Sequence, residues 1–499
     1  MMENNLPQGW VEIELSEITN YKKGKKPKKM QSTFFEHALV YLDIRAIEKG
    51  NDEIFVDRES SNYTDKNDLI IVWDGARAGW VAKSREGAIG STIMSLTPKI
   101  DKDFLLRYLQ TQFNYIQSNH RGTGIPHVDP DIFWNIMIPI PPLPEQHRIV
   151  TKLDGVMQKV ESNKQRLDKI PKILKRFQQS VLAAAVSGKL TEEWRIENEN
   201  SLQSGEEFIK RIKEIRIKRY VELCKEAKQQ GKRKPSNFDN FDVNLRSDFD
   251  LFELPNSWSW VDFRFVMSED TPFCYGVVQP GSESNDGNYL IRAGDIKNNT
   301  IDISSLRTIS KQVDNEYSRS RVSGGEILIT VVGAGIGECG IVPVSCKGFN
   351  IARAVAKVPI KDFSARFILL WLNSTIAINW MKAEAREVAR PTLNLEQLRE
   401  IPLPLPSIEE QTEIVRRLEQ LFAFADKIEA RYTKAKTMLD KLPQSILAKA
   451  FRGELVAQDT NDEPASILLE RIASAKLSTR KAEKAKFAVE KNGKKTKEK

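Results

Sequence analysis

Two stretches of this chain place apolar residues at alternating steps of four and three. The first runs through Ile149, Leu153, Val156, Val160, Leu167, Ile170, Leu174, Phe177 and Val181, with Asn163 filling one step. The second runs through Ile414, Leu418, Leu421, Ala425, Ile428, Tyr432, Ala435, Leu439, Leu442 and Ile446. An apolar stripe held over several heptads is the pattern of a coiled coil, and two stripes of matched length invite pairing with each other. Prolines fence each stretch off: Pro139, Pro141, Pro142 and Pro144, then Pro402, Pro404 and Pro406. No helix should run through such a cluster, so the helices are predicted to follow it. Gly188 and Gly453 are natural stops at the far ends. Pro171 is predicted to kink or interrupt the first helix. Asn163 reads equally as a register-setting seam residue or as a surface site.

Before each proline cluster the pattern changes. Short β-rich runs (Asp68 to Trp73, Ile89 to Leu96, Glu326 to Val332, Ile351 to Val358) mix with helical stretches near 103–119 and 363–385. This predicts two α+β globular halves. The halves and their helices are copies of one unit. Ile136 to Leu190 aligns with Ile401 to Leu455 at a constant offset of 265, with 18 identities in 55 positions. Upstream, Leu6-Pro7-x-x-Trp10 matches Leu254-Pro255-x-x-Trp258 at an offset of 248, so insertions lie inside the globular parts. Downstream, Phe208 to Ile212 resembles Leu468 to Ile472. The predicted organisation is a globular domain over residues 1–143, a spacer helix over 144–190 and a basic helical or linker segment over 191–252. The second copy follows as a globular domain over 253–405, a spacer helix over 406–455 and a basic helical or disordered tail over 456–499.

Charge sharpens this picture once it is located. The total is only +8 over 499 residues, but Lys22 to Lys29 carries +6, Gly205 to Lys234 +6 and Lys476 to Lys499 +7, leaving an acidic remainder. Lys22, Lys23, Lys25, Lys26, Lys28 and Lys29 share a stretch whose Gly24 and Pro27 suggest a loop. Like charges that dense are costly unless solvated or paired with phosphate. Arg77, Arg121, Arg292, Arg386 and Arg390 lie near glycine turns or loop ends, where a planar guanidinium suits phosphates and guanine edges. No apolar run is long enough to cross a membrane, and the N-terminus lacks a signal-peptide pattern. Cys224, Cys274, Cys339 and Cys346 form no CxxC pair, which points to a reducing cytoplasm.

Motifs for chemistry are scarce. Gly335, Gly337 and Gly340 spell the dinucleotide fingerprint after an apolar strand, but Ile341 to Ser345 reads as another strand where a phosphate-binding helix is required. A glycine-rich hairpin is the expected structure. There is no P-loop, and His37, His120, His127 and His147 lack metal-ligand spacing. The chain is expected to perform no chemistry and to bind no metal or cofactor.

Pro141 to Gln146 (PPLPEQ), Pro406 to Gln411 (PSIEEQ) and the helix ends Ser180 to Leu190 and Ser445 to Leu455 resemble the specificity subunits of type I restriction–modification systems. The LPxxW openings match the starts of their target recognition domains, and the likeness covers nearly the whole chain. The resemblance implies two recognition domains, each taking half of a bipartite site in double-stranded DNA, and two helices paired antiparallel as spacer and ruler. It also implies two docked modification (methyltransferase) subunits, joined by restriction and translocase subunits. S-adenosylmethionine, ATP and Mg would then belong to those partners. Glu145, Gln146, Ile149 and Leu153, with Glu410, Gln411, Ile414 and Leu418, are the candidate spacer and partner residues. A methyltransferase using residues 333–340 and a coiled-coil scaffold with two protein-binding heads are the competing readings.

Overall fold

The computed structural model describes residues 6–122, 124–231, 241–247, 251–385 and 391–478. The chain divides into two compact units, residues 1–169 with 432–499, and residues 170–431. Each unit therefore takes one globular head and a part of each long helical stretch.

In the first unit a four-stranded antiparallel sheet has the order Thr19–Lys23, Ile93–Pro98, Leu69–Val72, Val81–Lys83. In the second the order is Cys274–Tyr275, Val355–Val358, Ile327–Thr330, Cys339–Ile341, also antiparallel. Central strands buried on both faces explain the near-continuous apolar runs LIIV and ILIT. A two-strand ribbon closes each head, Val11–Glu14 with Met137–Ile140 and Ser259–Asp262 with Pro402–Leu405. One parallel pairing also recurs, Leu42 with Ile89 and Ile291 with Ile351. Around this frame the heads differ. The first adds a five-stranded sheet that includes Met30–Gln31 and Asn62–Thr64, and the second a three-stranded sheet and the hairpin Ile296–Lys297/Thr300–Ile301.

The first spacer stretch is two helices, Leu143–Leu167 and Ile170–Val186. Pro171 cannot donate to the carbonyl of residue 167, and the first helix ends there. Pro144 sits in the opening turn, where a missing N–H costs nothing. The second stretch is one helix, Ile408–Phe451, which continues through Pro443, with Leu439 and Ile446 on either side of it packed into the core of the first unit. Pairing within the first unit is antiparallel, with Lys164 3.6 Å from Asp440 and Asp168 3.2 Å from Lys436. In the second, Phe177, Val181 and Ala185 share a core with Ile414, Leu418 and Leu421. Asn163 is exposed, which settles it as a surface position.

The segments after each helix are docked rather than loose. Helix Gly205–Gln229 buries Phe208 and Ile212 in the second unit. Helical residues 465–478 bring Ala465, Leu468, Leu469 and Ile472 into the core of the first. The equivalent positions noticed in the sequence therefore do equivalent packing. Beyond residue 478 the basic tail lies outside the described residues.

Candidate nucleic-acid interface

The lysine run begins as a strand, not a loop, because Lys22 and Lys23 end the edge strand Thr19–Lys23 opposite Ser95 and Met94. The chain then turns hard against the sheet at Gly24, where a Cβ would stand 2.1 Å from the Gly90 carbonyl oxygen. Gly24 donates to Ile93 and Lys25 to Ile89 through their backbones (2.9 and 3.2 Å). The backbone of Lys29 donates to Asp57 (2.8 Å). Hydrogen bonds from Ser60 and then Lys29 hold the Asp57 carboxyl at about 2, so this anchor stays ionised. All six lysine side chains are exposed, and none pairs with a carboxylate among the described residues. Lys22 instead lies 4.8 Å from the Tyr63 ring centroid and Lys29 4.0 Å from that of Phe35. A fixed backbone and ammonium groups without carboxylate partners among the described residues, Lys22 donating only to the Tyr63 carbonyl at 3.3 Å, make a surface suited to a polyanion.

The arginines behave differently. Arg77 pairs with Glu48. Arg121 reaches Asp129 at 2.6 Å and Asp131 at 2.7 Å, which together raise its already high pKa. Arg292 is bound by Asp295 at 3.0 Å. Arg386 and Arg390 lie outside the described residues. The structure therefore leaves the six lysines exposed without carboxylate partners among the described residues and engages the described arginines with carboxylates, Arg121 and Arg292 with nearby ones and Arg77 with Glu48 of another element.

A shared element links these parts. The turn 75–79 has Gly75 at φ 110° and Gly79 at φ 92°, and the Gly75 N–H donates to the Pro126 carbonyl at 2.9 Å. In the second head Gly333 is at φ 96°, Gly337 at φ 89°, and the Gly333 N–H donates to Pro391 at 3.1 Å. The Gly335 fingerprint is thus a hairpin joining two antiparallel strands, with no helix to receive phosphates. Each head clips a glycine hairpin to a proline carbonyl, and in the first head Arg121 lies five residues before that proline.

Sequence reasoning missed the aromatic column beside the first hairpin. Tyr21, 60% exposed, lies 4.6 Å from Trp134 between centroids, and Trp134 stacks on Trp73 at 6.3 Å. Strand alternation before Lys22 was the available signal, but Trp134 is remote in sequence.

The helix roots form a second duplicated site. Glu145, Gln146, Ile149, Leu153, Glu410, Gln411, Ile414 and Leu418 are all buried. Gln146 Nε2 donates to Pro141 and its Oε1 accepts from the Asp101 N–H (2.9 and 3.0 Å). Gln411 does the same with Pro406 and Ser364 (2.9 Å each). The Trp10 indole donates to Glu145 at 3.0 Å and that of Trp258 to Glu410 at 2.8 Å. Gly453 and Gly188, both at positive φ, press on Pro7 and Pro255, leaving no room for a Cβ. These eight residues face inward and tie helix to head.

Comparison with known proteins agrees with this duplicated frame. A family model, the type I restriction modification DNA specificity domain, matches residues 7–172 and 280–436. The EcoBI specificity subunit of Escherichia coli is 36% identical over 488 residues, covering 96% of this chain and 94% of its own length. The EcoKI specificity subunit of Escherichia coli strain K12 is 28% identical, with 97% of each chain covered. The crystal structure of the HsdS subunit from Thermoanaerobacter tengcongensis superposes with a TM-score of 0.56 at 20% identity, covering 91% of this chain and all of that one. The chain belongs to the family of type I restriction–modification specificity subunits.

Proposed function

We propose that each head reads one half of a bipartite, asymmetric site in double-stranded DNA, and that the paired helices set the gap between halves and dock two methyltransferase subunits. The observation that carries this reading is one frame bearing two unlike surfaces. Hairpin, ribbon and helix root are the same in both units, while the added sheets and the charged loops differ. Two different readers on a fixed spacer suit an interrupted site without a palindrome, which a homodimer could not read. Lysines position the duplex, and side chains of the added sheets and hairpin loops supply base contacts.

The chain itself carries out no catalysis in this reading. S-adenosylmethionine, ATP and Mg belong to the methyltransferase and the restriction–translocase partners. Four free thiols, three of them buried, suit a cytoplasmic protein. Among the described residues no helix is long and apolar enough to cross a membrane.

Mapping methylated bases across the host genome tests the proposal. An interrupted asymmetric motif should vanish when this gene is deleted. Restoring the gene without one heptad of the helix Ile408–Phe451 should shift the gap or abolish methylation. Methylation that persists at the original spacing would sink the ruler.

A further inference from the structure

The two spacer stretches are copies of one unit with the same buried root, so a difference between their exposed faces is not dictated by the frame. Along the helix Leu143–Leu167 runs a groove of about 490 Å³, lined by His147, Lys152, Gly155, Val156 and Lys159 and by Val456. Gly155 is in mid-helix, and a Cβ built there meets nothing within 4 Å. Glycine is destabilising in a helix interior, and nothing in this unit requires it at this point. The second copy puts larger groups in the same places: Gln420 for Gly155, Phe424 for Lys159 and Arg417 for Lys152.

Charge differs as sharply as shape. In the second copy Glu413 binds both Arg416 at 2.7 Å and Arg417 at 2.6 Å, so those two cations are already held by a carboxylate of their own helix. In the first copy Arg148 stands where Glu413 would be, and it is tied to Asp462 at 2.7 Å. His147 faces Asp101 at 3.1 Å, and Asp154 is taken by Arg107 at 2.6 Å. Lys152 and Lys159 have no carboxylate partner among the described residues.

We propose that the groove over Gly155 receives an acidic, small-residue segment of one methyltransferase subunit, making the two docking faces unequal. The inference rests on the reading above that the helices dock that subunit. Lys152 and Lys159 complement acidic side chains, and Val156 and Val456 offer an apolar floor that suits a protein segment better than a hydrated phosphate backbone. Gly155 admits a partner main chain closer than any side chain would allow.

Titration of the full chain with the purified modification subunit of the same host, followed by native mass spectrometry, tests this. Two loading steps are expected, with dissociation constants roughly tenfold apart. Gly155→Leu should remove the tighter step and leave the weaker one. Lys152→Glu with Lys159→Glu should do likewise, and added salt should weaken the tighter step more than the other. Gln420→Leu should leave the tighter step unchanged. Gly155→Ala should raise the melting temperature of the free chain, which separates the partner effect from misfolding. Equal steps in the wild type, or variants in the groove that load like the wild type, would overturn the groove and leave docking standing. A wild-type chain that loads no modification subunit would overturn the docking reading itself.

Discussion

Glu145 and Glu410 are the same residue in two copies of one motif, at the same helix root, below the same tryptophan. Both are buried to within 1% of complete. Glu410 also receives Arg195 at 2.6 Å and the Thr191 hydroxyl at 2.7 Å. Glu145 has only the Trp10 indole, and its Oε1 has no partner. Val456 stands where the second unit has Thr191, which removes one of the donors. Burial therefore raises the Glu145 pKa, against the smaller pull of Trp10. Duplication preserved the lock but let its charge balance drift, so one root is an ion pair and the other a buried carboxyl with a single side-chain donor and a raised pKa.

The largest expected effect follows from breaking the pair. Glu410→Gln leaves Arg195 without its anion and should cost the second unit about 3 kcal/mol. Glu145→Gln, which supplies a neutral side chain where the charge is penalised, should change the first unit by less than about 1 kcal/mol. Hydrogen exchange resolved by unit would show it, and equal costs would contradict the comparison. The pH dependence has a definite sign. The folded pKa of Glu145 lies above its unfolded value, so the folded state binds the proton more tightly. Its contribution to stability is lost as pH rises from the ordinary carboxylate range through the raised pKa. Glu145→Gln should remove that slope.

The tryptophans sharpen the same contrast at a smaller scale. Trp10→Phe deprives Glu145 of its one side-chain donor and should cost about 1–3 kcal/mol, more at pH 8 than at pH 5. Trp258→Phe leaves Glu410 with Arg195 and Thr191 and should cost about 1 kcal/mol. Urea midpoints of both variants at the two pH values would decide it. If Trp258→Phe costs as much as Trp10→Phe, Arg195 is not compensating.

Much of this was legible in the chain and some was not. The offset of 265 exposed the duplicated helices, because a packed seam repeats every few residues. Pro171 announced the helix break through its own missing N–H. What stayed hidden were meetings between distant residues. Trp10 and Glu145 are both motif residues, yet neither spacing nor periodicity says that one donates to the other across 135 positions. The docking of 465–478 on the first head is likewise a long-range fact, whereas the matched stripes already name each helix as the companion of the other. The partners of the arginines were hidden for a related reason: Arg77 and Arg121 are held by carboxylates too far along the chain to form a local pattern, and Arg292 by Asp295 three residues away.

That difference between free and bound cations yields the smallest and most discriminating prediction. Each of Lys25, Lys26 and Lys28 that contacts a phosphate should, when changed to Gln, lower the salt dependence of DNA binding by about 0.9 in log–log slope. The loss should be uniform across sequences, because phosphate contacts carry no base information. Arg121→Gln should scarcely change the slope, since Asp129 and Asp131 already neutralise the guanidinium and must be given up before it can reach DNA. If Arg121→Gln instead relaxes the recognised sequence at one position without changing the slope, the arginine is a base reader held in place by its aspartates. The fork that Asp129 and Asp131 now fill would then be presented, in a fixed orientation, to a guanine edge.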